Sequence, residues 1–230
     1  MEPSEGMTSR QYLLVSIICL ALLIPAAALD GPIASAVRSS ELEWGVRKDP
    51  LMKWMTHIAK APGDFRTWII PAAALCLWHR MRLQAGGFLC LANIMGLFTD
   101  LLKWIIGRTR PFRLPGEVLA PFVLAPFHNG LHGLIKQSDL SFPSGHSTTA
   151  FASAAAMAIM MPRWRVAFYA IAALVAVERV VENAHYLSDT IAGAWLSIVG
   201  VHLLWLLCKT IVHSHQAKTR QASVTLNAAS

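Results

Sequence analysis

The sequence predicts an all-α polytopic membrane protein, six transmembrane helices in a bundle, and three observations carry that prediction. Of the 230 residues, 55% are hydrophobic and only 14% are charged, and the mean hydropathy is +0.47, well outside the habit of soluble domains. Apolar runs recur at 12–29, 66–79, 86–106, 146–162, 165–182 and 187–208, to be compared with the roughly 20 residues that cross a hydrocarbon core of about 30 Å. Tryptophans and basic residues gather at the ends of these runs, where aromatic belts and headgroup contacts belong.

The first run resembles the apolar region of a signal peptide, and Ala26-Ala27-Ala28 resembles a cleavage site. Glu2 and Glu5 outweigh Arg10 in its flank, however, where a signal peptide is basic, so the run is expected to be retained. The loop from Asp30 to Phe65 carries Arg38, Arg47, Lys48, Lys53 and Lys60 beside Glu41, Trp44 and Trp54, which suggests an interfacial amphipathic stretch. The run 66–79 is the shortest of the six. Basic turns at 80–82 and 163–165, together with Lys209, Lys218 and Arg220 in the tail, place those segments in the cytoplasm by the positive-inside rule. Both termini are then cytoplasmic. The remaining loops, and any functional site they carry, are then expected to face the periplasm or cell exterior across a bacterial-type inner membrane.

Segment 112–142 contains Pro115, Pro121, Pro126, Gly130 and Gly133, too many breakers for one helix, and is expected to cap the outer face. Residues 1–210 then form one six-helix domain, and the polar tail 211–230 is expected to be disordered. The net charge of +7 comes without an arginine-rich tail, so membrane lipids and phosphate substrates are the expected partners, and nucleic acid is not. Cys19, Cys76, Cys90 and Cys208 lie inside apolar runs without a CxxC spacing, an arrangement that predicts neither a disulfide framework nor a zinc site. No metal or other cofactor is expected, and the oligomeric state is not legible.

Three clusters of ionisable residues adjoin the run ends, and such residues are costly at membrane depth and tend to mark function. Lys103 and Arg110 are seven apart, so a helix continued to Arg110 puts both on one face, ready to grip one anion, before Pro111 ends it. The alternative is that Lys103 pairs with Asp100 while Arg108 and Arg110 snorkel to headgroups. Pro143-Ser144-Gly145-His146 opens a small-residue run whose helix N-terminus offers free N–H groups to an anion. Ser144 either caps that helix or gives its hydroxyl to phosphate, and Gly145 admits a bulky anion; an ordinary capped helix reads the same way. His185 and Asp189 are i, i+4, a spacing that lets a helical carboxylate orient an imidazole or simply form a structural pair. Arg179 shares no helical face with them, and a turn must bring it back.

Taken together, K-x6-R-P, P-S-G-H and R-x5-H-x3-D resemble the signature of the type 2 phosphatidic acid phosphatases, membrane relatives of bacterial acid phosphatases and vanadium haloperoxidases. The resemblance covers residues 54–195, including Gly63-Asp64. It departs at Glu178, where the family usually has Ser, and Glu178 is expected to point away from the anion. The resemblance implies that His185 is the nucleophile and becomes phosphohistidine, that Asp189 fixes its tautomer, and that His146 protonates the leaving alkoxide and then activates water. Lys103, Arg110, Arg179, Ser144 and Gly145 would bind the phosphoryl oxygens, with no metal. The implied substrate is a phosphomonoester or pyrophosphate of a membrane lipid: phosphatidic acid, phosphatidylglycerol phosphate, undecaprenyl pyrophosphate or phosphorylated lipid A. Two rival readings are a phosphotransferase that passes the phosphoryl group to another lipid and an anion transporter.

Overall fold

Seven α-helices and four single-turn 3-10 helices form the described part of the computed structural model, which covers residues 8–39, 50–77, 86, 88–89, 92–114, 124–127, 130 and 139–228. In chain order the helices are α1 (Ser9–Ser39), α2 (Pro50–Lys60), α3 (Ile69–Leu77), α4 (Ile94–Ile106), α5 (Gly145–Met160), α6 (Arg165–Val181) and α7 (Leu187–Ala228). The all-α expectation therefore agrees with the structure; its only β features among the described residues are two isolated bridges, Arg108 with Leu124 and Thr109 with Leu140.

Composition explains why α5 sits at the centre. Its alanines at 150, 152, 154, 155, 156 and 158 are all buried, and side chains this small let neighbouring helix backbones approach closely, the packing mode that works where lipid removes the hydrophobic drive. Both α6 and α7 pack along it, and α1 packs along the outside of α7. Trp195 Nε1 donates to Ser16 Oγ at 3.2 Å across the α1–α7 seam. Gly193 marks the α5–α7 crossing, because a Cβ there would lie 2.9 Å from the Ser144 carbonyl oxygen and 3.0 Å from Thr148 Oγ1. A second apolar centre joins Phe88, Leu89 and Ala92 to Ala152, Ala155, Ile159 and Val201.

The outward faces of α1, α4, α6 and α7 carry exposed Leu13, Ile24, Leu97, Phe98, Leu174, Val177, Leu203 and Leu207. Apolar surface on this scale suits hydrocarbon as the solvent. Two helices, over Arg10–Ser39 and Leu187–Ile211, are long and apolar enough to cross a membrane unaided, fewer than the six runs expected. The 16 and 17 residues of α5 and α6 span only about 25 Å at 1.5 Å per residue. Much of the connection from 78 to 91 lies outside the described residues.

Two boundaries differ from expectation. The α4 helix ends at Ile106 because Gly107 takes the left-handed conformation, φ 66°, and returns its N–H to the Lys103 carbonyl at 2.7 Å. Glycine is the residue that occupies this capping position without strain, so the chain leaves the helix four residues before Pro111. At the other end α7 continues to Ala228, past residue 211 where the tail was expected to lose order. Its Gln, Ala, Lys and Arg residues are good helix formers, and they extend the helix that precedes them. Of the stretch expected to be interfacial the described part is α2, which exposes Leu51, Trp54, Met55 and Ile58; residues 40–49 and most of 115–138 in the expected cap lie outside the described residues, as do Cys90 and the Cys76 side chain.

Candidate active site

The site forms where the α4 C-terminus, the α5 N-terminus and the α6–α7 turn meet. Lys103 occupies the last turn of α4 and is buried. Its Nζ bonds Asp100 Oδ1 at 3.2 Å, so the pairing weighed from sequence does occur. The same Nζ lies over the start of α5, 2.9 Å from where a Gly145 Cβ would be. A larger residue there would push the Lys103 ammonium aside. An ammonium set against the positive end of a helix is favourable only when an anion joins them.

Arg110 does not share a helical face with Lys103, since α4 has already ended. It is delivered by extended chain: its N–H donates to the Asp139 carbonyl at 3.0 Å and its Nε to the Leu140 carbonyl at 3.0 Å. Burial, and next the nearby Arg179 guanidinium, depress its pKa. Ser144 is the N-cap of α5, its buried oxygen accepting from the Ser147 N–H at 3.4 Å and from Ser147 Oγ at 3.1 Å. Of the two roles open to it, capping is the one the geometry displays. His146 follows in the first turn, with Arg179, His185, Lys103 and Arg110 all within electrostatic range. Behind it sits Gly63, where a Cβ would stand 2.9 Å from both His146 Cβ and the His146 carbonyl oxygen.

The α6–α7 turn supplies the remaining groups. Asn183 adopts φ 54°, a left-handed position that asparagine tolerates better than most residues. The reversal lets Ala184 and His185 donate their N–H groups to the Arg179 carbonyl at 3.1 and 3.2 Å. This is the turn that Arg179 needed to join the cluster. His185 lies ahead of α7, not on it, so the i, i+4 helical geometry expected for His185 and Asp189 is replaced by a turn that meets a helix start. Its Nδ1 is 3.5 Å from Asp189 Oδ2, and among the described residues neither ring nitrogen has a hydrogen-bond partner. Burial, followed by the fields of Arg110, Lys103 and Arg179, pushes the His185 pKa well below the ordinary histidine range. All three cations thus act on one imidazole.

Glu178 does not turn away. Its carboxylate takes the Arg179 Nε and Nη2 at 2.6 Å each, and Glu182 accepts from the same Nη2. A guanidinium buried to this degree needs a counter-charge, and the adjacent acid provides it. Glu182 also lies 3.6 Å from Lys60 of α2.

Sequence reasoning missed two residues. Arg108, assigned to headgroup snorkelling, is 1% exposed and lies 4.0 Å from the Tyr186 ring centre. Its Nη1 reaches Asp189 Oδ1 at 2.6 Å and its Nη2 reaches Asp30 Oδ2 at 2.8 Å. Asp30 was read only as the start of a loop, yet it is buried inside α1. A carboxylate adjoining an apolar run was the available signal. Among the described residues no group of three His, Cys, Asp or Glu side chains could hold a metal ion.

Residues 82–212 match the family described as the PAP2 superfamily. The Lipid A 1-phosphatase of Rhizobium etli is 44% identical over 208 residues, which cover 79% of this chain and 82% of the relative. The Lipid A 1-phosphatase of Rhizobium johnstonii is 45% identical over 108 residues, covering 45% of this chain; that match spans 41% of the relative's own length. Among solved structures, the first transmembrane PAP2 type phosphatidylglycerolphosphate phosphatase from Bacillus subtilis superposes with a TM-score of 0.58 at 21% identity. The match covers 87% of this chain and 96% of that one, and it shows a shared fold.

Proposed function

Because the chain belongs to the PAP2 superfamily, we propose that it is an integral-membrane lipid phosphatase that releases inorganic phosphate through a phosphohistidine, without a metal. The single observation that carries this reading is that Lys103, Arg110 and Arg179 all lie within electrostatic reach of the buried His185 imidazole. A phosphoryl transition state spreads its charge over equatorial oxygens, and fixed cations aimed there supply most of the catalysis.

In the proposed reaction a neutral His185 attacks phosphorus through Nε2 while Nδ1–H is directed at Asp189. The P–N bond forms as the P–O bond to the lipid breaks, and His146 gives its proton to the departing alkoxide. His146 then takes a proton from water, whose oxygen attacks phosphorus and frees His185. The 3.5 Å separation of His185 and Asp189 is a ligand-free distance of the kind that tightens when substrate binds. The Gly145 N–H, at the start of α5 beneath Lys103, is proposed as a backbone donor to phosphate, and the Ser144 hydroxyl as a side-chain donor.

The six apolar runs are proposed to cross a bacterial-type inner membrane with both termini in the cytoplasm, so the site opens on the periplasmic or exterior side. The leaving group is then a lipid held in the outer leaflet. A relative 44% identical over 82% of its own length is named for lipid A, which puts a lipid A phosphate first among the candidate substrates.

The purified protein is expected to release phosphate from at least one of lipid A, phosphatidic acid, phosphatidylglycerol phosphate and undecaprenyl diphosphate in detergent. Turnover should persist in EDTA and be blocked by vanadate. A strict Mg²⁺ requirement removes the metal-free scheme, and transfer of label to an acceptor lipid without free phosphate replaces hydrolysis by phosphotransfer. A second expectation concerns Gly63. In Gly63→Ala the new Cβ must displace the His146 backbone, and a shift approaching 1 Å at a catalytic group costs about 10²-fold. A fall in kcat of at least about tenfold, in protein that still elutes as a folded species, is expected; unchanged kcat would show that His146 needs no such placement.

A further inference from the structure

We propose that Asp30, on α1, is a positioning residue for the catalytic histidine, acting through Arg108 and Asp189. This inference rests on the phosphatase reading above and adds a component that lies outside the family match, which begins at residue 82.

The observations form a continuous chain of buried contacts. Asp30 is 1% exposed, Arg108 1% and Asp189 0%. Asp30 Oδ1 accepts the Ser188 N–H at 3.0 Å, an amide in the first turn of α7 that has no partner within its own helix. Asp30 Oδ2 accepts from the Ser188 hydroxyl and from Arg108 Nη2. Arg108 Nη1 donates to Ser188 Oγ at 2.8 Å and to Asp189 Oδ1 at 2.6 Å. The other oxygen of Asp189 accepts the Tyr186 N–H at 2.9 Å, half of a capping box, and is also the atom facing His185 Nδ1.

Three groups bear on the Asp189 carboxylate: the Tyr186 N–H, local to α7, and the imported Arg108 guanidinium and Ser141 hydroxyl. The local bond to Tyr186 leaves the carboxylate free to pivot about Oδ2. The guanidinium supplies the charged restraint on that pivot, and it is in turn clamped by Asp30. Asp30 and Asp189 thus share one guanidinium. Through it α1, the helix furthest from the chemistry in sequence, sets both the start of α7 and the orientation of the acid behind the nucleophile.

Asp30→Asn tests the assignment because it preserves shape while forcing an amide NH₂ against either Ser188 N–H or the Arg108 guanidinium, both donors. With phosphatidic acid or lipid A in detergent micelles, whichever the wild type turns over faster, kcat is expected to fall at least about tenfold and KM to stay within about twofold. Asp30→Glu should recover part of the loss. In an Asp189→Asn background the same Asp30→Asn change should cost less than about threefold, since groups acting in series are not additive. Ser188→Ala, which removes one hydroxyl and keeps the backbone bond, should lower kcat about threefold if Asp30→Asn fails to fold. Full kcat in Asp30→Asn or in Ser188→Ala, a loss seen only in KM, or effects that multiply independently of Asp189 would overturn the proposal. If wild type hydrolyses lipid phosphate and His185→Ala does not, such an outcome removes the role of Asp30 alone. If the wild type releases no phosphate, the phosphatase reading itself falls.

Discussion

His185→Ala is expected to abolish phosphate release from lipid while leaving membrane insertion and thermal stability close to wild type. The nearest carboxylate, Asp189, lies 3.5 Å from Nδ1 and is held independently by Arg108, so the ion-pair network survives the substitution and the loss reports on chemistry. In the proposed mechanism no other group can form the covalent intermediate, and removal of a covalent nucleophile costs on the order of 10⁴-fold or more. His146→Ala should be similarly inactive, with one difference: it should still accept phosphate onto His185 from a substrate whose leaving group needs no proton. Single-turnover labelling of phosphohistidine in the two variants checks both statements, and wild-type turnover in either would remove the role assigned to it. The wild-type pH profile carries a linked expectation. Burial, with Arg110, Lys103 and Arg179, holds the His185 pKa well down, so the imidazole stays neutral on the acid side of its ordinary range. The acid limb of kcat/KM, which reports the free enzyme, should therefore lie below that range, apart from any limb set by the ionisation of the substrate phosphate.

The second large effect is on stability. Arg108→Ala strips the shared counter-charge from Asp30 and Asp189, both buried almost completely. Removing one partner of a buried ion pair costs about 3–5 kcal/mol, because an uncompensated charge remains in a medium that cannot solvate it. Two carboxylates are stranded here, so most of the variant protein is expected to unfold or aggregate on detergent extraction, with a thermal midpoint many degrees lower. Arg113→Ala is the control. Arg113 pairs with Asp139 at 2.7 Å, but both are about half exposed, and a surface pair of this kind contributes about 0–1 kcal/mol. Equal thermal midpoints for the two variants would contradict the buried triad.

Much of the candidate site was legible from one chain because ionisable residues are expensive beside apolar runs, which makes each one a marked position. Lys103, Arg110, Ser144, Gly145, His146, Arg179, His185 and Asp189 were all picked out by type and spacing. The cap at Ser144 was readable too, since an N-cap is a contact of three residues' reach. Local rules failed at the helix boundaries. The seven-position spacing of Lys103 and Arg110 suggested one helical face, but Gly107 is free to take the left-handed conformation and the neighbouring chain, Leu124 and Leu140, pairs with the extended segment that follows.

Composition and periodicity by themselves determined the helical class, the apolar surface and which residues are candidates to handle a phosphate, for each follows from side-chain chemistry within a turn or two. Only the tertiary structure decided which charges neutralise one another. Arg108 and Asp30 are 78 residues apart and Arg108 and Asp189 are 81 apart. Which cation offsets which buried acid is therefore set by how α1, the chain after α4 and the start of α7 are brought together, and no spacing rule along the backbone encodes that.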